Sequence, residues 1–91
     1  MPAQQLKNQL ENLQRILAET DEPLSPEERE SLQQLADRIE ARLLAVQHDT
    51  DMEDTNLVDS VNLSIEHFYA RHPTVAATLH RVVQALSDMG I

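Results

Sequence analysis

The sequence predicts an all-α fold built as two antiparallel helical hairpins. Three observations carry this. Leu, Ile and Val recur at spacings of three and four residues in four separate stretches, the period of an amphipathic helix. Proline at positions 23, 26 and 73 and a polar run after residue 47 separate those stretches. Start and stop signals stand where the periodic stretches begin and end. The four helices cover roughly residues 3–20, 25–47, 55–71 and 73–89.

In the first helix Leu6, Leu10, Leu13 and Leu17 make a narrow, coiled-coil-like stripe, with Gln, Asn, Glu, Lys and Arg on the opposite side. "ETDEP" ends it, because Pro23 excludes its predecessor from helical geometry. The second helix opens on "LSPEERESL". Ser25 is the N-cap, Pro26 the first helical residue, and Glu28 completes a capping box in which serine and glutamate satisfy each other's free backbone N–H groups. Glu27, Glu28 and Glu30 suit the positive end of the helix dipole, so this carboxylate run reads as capping and not as catalysis. Leu32, Leu35, Ile39, Leu43 and Val46 form its apolar face, with Ala36 filling it. The short loop makes helices 1 and 2 an antiparallel hairpin.

"QHDTDMEDTN" reads as an acidic linker at 48–55. Asp49, Asp51 and Glu53 alternate as a calcium loop begins, but Asp54 stands where the turn glycine belongs and Ser60 where the bidentate glutamate belongs. An N-cap at Asp54 or Thr55 fits better. The third helix carries Leu57, Val58, Val61, Ile65 and Phe68 on one face and runs to Arg71. Pro73 breaks it and serves as the first residue of the fourth, with His72 near the cap. Val75, Leu79, Val82, Leu86 and Met89 continue the pattern, widened by Ala76 and Val83. Gly90, the single glycine, is placed to close the helix in the left-handed conformation, with Ile91 folding back on Leu86. The organisation is thus a charged hairpin over 1–47, a linker over 48–55 and an apolar hairpin over 56–91, one structural domain overall.

Composition narrows function. The net charge is −9, from 16 acidic and 7 basic side chains, which disfavours contacts with nucleic-acid phosphates. With no cysteine there are neither disulfides nor thiolate metal sites. The start, "MPAQQLKNQL", lacks signal-peptide character, and no apolar run approaches the ~20 residues of a membrane span. The expectation is a soluble, cytoplasmic protein that binds neither nucleic acid nor membrane.

The stretch "NLSIEHFYARHP" concentrates His67, His72, Phe68 and Tyr69. A helical metal site wants ligands at i and i+4, whereas His67 and His72 are five apart and His80 lies on the next helix. A site would need His67 and His80, with Glu66 as a further ligand, to meet across the hairpin. The serines lack the glycine neighbours of a nucleophile elbow, and one glycine is too few for a phosphate-cradling loop. The bland reading is preferred: Phe68 plugs the core, Tyr69 sits at its rim, and the stretch is a bend. No catalytic, cofactor or metal residues are assigned, and no enzyme activity is expected.

"MPAQQL", "LSPEER" and "LVDSVNLSIEHFYARHPTVAATLHRVVQALSDMGI" together resemble a family of short proteobacterial proteins catalogued as a domain of unknown function. The resemblance spans essentially the whole chain. It implies a short, all-helical cytosolic protein and carries over no site residues.

The leading expectation is a non-enzymatic, self-associating helical interaction module. Only Phe68 and Tyr69 are aromatic, and the apolar weight gathers in the last two helices. A second copy, most simply in a dimer, would complete the bundle through Val61, Ile65, Phe68, Leu79, Val82 and Leu86. One alternative is an acidic regulator that holds a basic protein partner. Another is a metal or pH sensor built on His67, His72 and His80.

Overall fold

The computed structural model describes residues 2–19, 24–47 and 56–90. Within them the chain forms α1 (Pro2–Ala18), α2 (Pro26–Gln47), α3 (Leu57–Phe68) and α4 (Pro73–Asp88). Each begins or ends for a local reason. At α2 the capping box is formed: the Ser25 N–H donates to Glu28 Oε1 at 2.9 Å, and the Glu28 N–H donates to Ser25 Oγ at 3.1 Å. Pro73 holds the first position of α4, where its missing N–H costs nothing.

Both boundaries of α3 differ from the sequence expectation. α3 stops at Phe68 and not at Arg71, with the His72 N–H donating to Phe68 O at 2.8 Å across the bend. Proline disfavours helical geometry in the residue before it, and here the reversal needs Tyr69 to Arg71 as a turn as well. The N-cap of α3 is Asn56, whose side chain makes no capping bond. Asp54 and Thr55 lie outside the described residues, as do the whole 48–55 linker and Ile91. At the C-terminal end of α4, Gly90 takes φ +81° and its N–H donates to Ser87 O at 3.0 Å, one of the two bonds of a Schellman cap.

The four helices close into an up-down-up-down bundle. α1 packs against α2 and α4, and α3 against α4 and, more sparsely, α2. Side-chain contacts fix the directions. The Arg29 guanidinium, at the start of α2, donates to the Leu17 carbonyl at the end of α1, where the negative end of the helix dipole attracts a cation. Arg38, midway along α2, donates to Ser60 Oγ near the start of α3 at 2.8 Å. At 22 residues and ~33 Å, α2 is nearly as long as the 37 Å long dimension of the molecule, whereas α3 has 12 residues. None of the described helices is long and apolar enough to cross a membrane.

The core lies within one chain. Leu6, Leu10, Leu13 and Leu17 from α1 join Leu32, Leu35, Ile39 and Leu43 from α2, and both stripes meet the apolar faces of α3 and α4. The bundle also places the six residues expected to carry self-association. Val61, Phe68, Leu79, Val82 and Leu86 are each at most 1 % exposed within the chain. Ile65 alone is half-buried. The reason is the fold-back of α1: its leucine stripe covers the face of α4 that the sequence left without an owner.

Candidate functional site

Two surface features stand out, both at the α3–α4 bend. The first is polar. Glu28 sits in the first turn of α2 because the capping box holds it there, with Oε1 accepting from the Ser25 backbone N–H. Its other oxygen, Oε2, faces His72 Nε2 at 3.4 Å and His67 Nε2 at 4.0 Å. One carboxylate therefore caps a helix and ties the first hairpin to the second. His72 is itself buried at 8 % exposure, and its ring meets the edge of Phe68 at 5.8 Å between centroids. His67, on the open side of Phe68, meets that ring in a T-shaped contact at 5.0 Å.

The electrostatics follow from this placement. The Ser25 backbone N–H is the largest influence holding the Glu28 carboxyl below its ordinary value, aided by the Ser25 hydroxyl and by His72. Burial opposes them, and the net direction is down. The carboxylate is thus kept charged and already engaged at both oxygens. Beside it lies a surface hollow of about 280 Å³ lined by Ser25, Glu27, Glu28, Ser31, His67 and Arg71. It mixes both signs of charge around a carboxylate committed to structure. A general acid or base needs a free oxygen within reach of a bound substrate, and Glu28 has little to offer one.

The second feature is apolar. Ile65 near the end of α3 and Tyr69 in the turn after it, with Pro73, Ala76, Ala77 and His80 from α4, line a groove of about 280 Å³ on the outer face of the hairpin. Its floor is made of small side chains, and Tyr69 stands at its rim, 74 % exposed. One of the chain's two aromatic rings is thus left open to solvent beside an apolar depression. Among the described residues the other large exposed apolar side chains, Leu44, Val46 and Leu63, are at 46 %, 38 % and 67 %.

Of the histidines weighed from sequence, the structure brings His67 and His72 to the same carboxylate and places His80 in the apolar groove. The carboxylate is Glu28 from α2, not the neighbouring Glu66, which is exposed. Among the described residues no group of three or more His, Cys, Asp or Glu side chains has the arrangement to hold a metal ion. Sequence reasoning gave Glu28 and His72 separate local duties and missed that they meet. The usable signal was that a capping glutamate presents one oxygen to its own helix and leaves the other free.

A family model matches residues 6–91 and is described as a domain of unknown function, DUF4404. The chain belongs to that family. The searches of curated proteins and of solved structures each returned no match.

Proposed function

We propose, on the premise of DUF4404 membership, that the chain is a non-enzymatic α-helical interaction module whose working surface is the outer face of the α3–α4 hairpin. The observation that carries the proposal is the apolar groove with Tyr69 at its rim. Tyrosine supplies a large contact area with few rotamers to lose, which is why it recurs at the energetic centres of interfaces. The small Ala76 and Ala77 side chains let another backbone approach closely. The polar cluster at Glu28 supports this division of labour. It fixes the bend that presents Tyr69, because His72 lies between Tyr69 and Pro73 and is clasped to α2.

The test is a photoreactive amino acid placed at Ala77, with a second at the exposed Asp37 of α2 as control, in cells that make the protein. Discrete adducts at position 77, absent at 37 and lost when Tyr69 becomes Ala, are expected. Equal, diffuse labelling at both positions overturns the reading.

A further inference from the structure

We infer that the occupant of this groove is a second copy of the chain, docked about a two-fold axis so that each Tyr69 lies over the Ala76–Ala77 floor of the other. The inference rests on the interaction reading above and adds the partner. Two observations favour a copy over another protein.

The first is self-complementarity. A closed symmetric dimer requires that one patch contain both what projects and what receives. Here Tyr69 projects and the groove receives, on a single face of one hairpin.

The second is charge. The chain carries a net −9, so two copies repel over most of their surface. The segment 56–91 has only Asp59, Glu66 and Asp88 against Arg71 and Arg81, a net −1. Two copies therefore meet with least repulsion through α3 and α4, where the groove lies. A basic partner is drawn instead to α2, which exposes Glu30, Asp37 and Glu40. The two cases also respond to salt in opposite senses. Screening relieves residual repulsion between like-charged copies and leaves or strengthens the dimer, whereas it weakens attraction to a basic partner.

Sedimentation velocity on the purified full chain tests this, from about 1 to about 300 µM and from about 50 to about 500 mM salt. The expected result is a species of twice the 10.3 kDa chain mass that salt leaves intact. Tyr69→Glu and, independently, Ala77→Glu move the association midpoint at least tenfold toward monomer with helical circular dichroism unchanged. Leu44→Glu, on α2, leaves it in place. A monomer throughout the range, or a dimer insensitive to both groove variants, or one that salt dissolves, overturns the inference. If the chain is monomeric yet position 77 still gives discrete adducts with another protein, the interaction reading stands and the second copy is removed.

Discussion

Replacing Glu28 probes the junction of the two hairpins, because its one side chain serves a helix cap and an inter-hairpin contact. In Glu28→Ala the Ser25 N–H loses its acceptor and the capping box opens, worth about 1 kcal/mol. The first turn of α2 loses a favourable negative charge, about 0.5 kcal/mol at a partly covered site. His72, 8 % exposed, is left facing no carboxylate, about 1 kcal/mol more. The sum is roughly 2–3 kcal/mol, and at 4–8 °C per kcal/mol in a domain of this size Tm falls by about 10–20 °C. Glu28→Gln keeps the shape and one acceptor oxygen, so only the charge is lost, at about 1 kcal/mol.

The pH dependence separates charge from shape. Folding lowers the Glu28 carboxyl below its ordinary value of 4.5, so its contribution is fully present above that value and disappears as pH falls through the lower, folded value. The stability gap between the wild type and Glu28→Gln is therefore open at neutral pH and closes in acid. Thermal unfolding followed by circular dichroism across this range reads it directly. A Glu28→Gln protein as stable as the wild type at neutral pH, or a gap unchanged in acid, refutes the reasoning.

Other substitutions test the remaining links. Phe68→Ala removes the largest fully buried side chain and the ring against which both histidines pack, so urea unfolding should show a loss of about 3–5 kcal/mol. Tyr69→Ala, by contrast, should leave stability within about 0.5 kcal/mol, since the ring is mostly in solvent; a loss as large as that of Phe68→Ala contradicts its placement at the surface. Gly90→Ala meets no atom within 4 Å of the added Cβ, so its cost is the left-handed backbone alone, about 1 kcal/mol in thermal unfolding.

What could be read from sequence was whatever is local. The leucine spacing of α1, the Ser25–Glu28 box, the Pro73 break and the Gly90 terminus each depend on residues within one or two turns, and each is found where expected. What could not be read was pairing between elements. A helical wheel shows that α4 has a wide apolar face but not whether α1 or another chain covers it. A weighing of apolar residues hairpin by hairpin does not show the α1–α4 pairing, because it credits the α1 stripe only to its own hairpin. The Glu28–His72 contact was hidden for the same reason. A search for ligands at i±4 looks along one helix, and this pair is assembled by the bundle.

The apolar faces of α3 and α4 are covered by α1 and α2 of the same chain, and the groove is left for another molecule. Isotope-filtered nuclear Overhauser spectra on an equal mixture of labelled and unlabelled chains measure this directly. Contacts between α1 and α4 methyl groups should appear within a uniformly labelled chain and be absent from the filtered, between-chain spectrum, where Tyr69 ring contacts alone remain. Between-chain contacts from Leu13 of α1 to Leu79 or Val82 of α4 would contradict it, because the core would then belong to two chains.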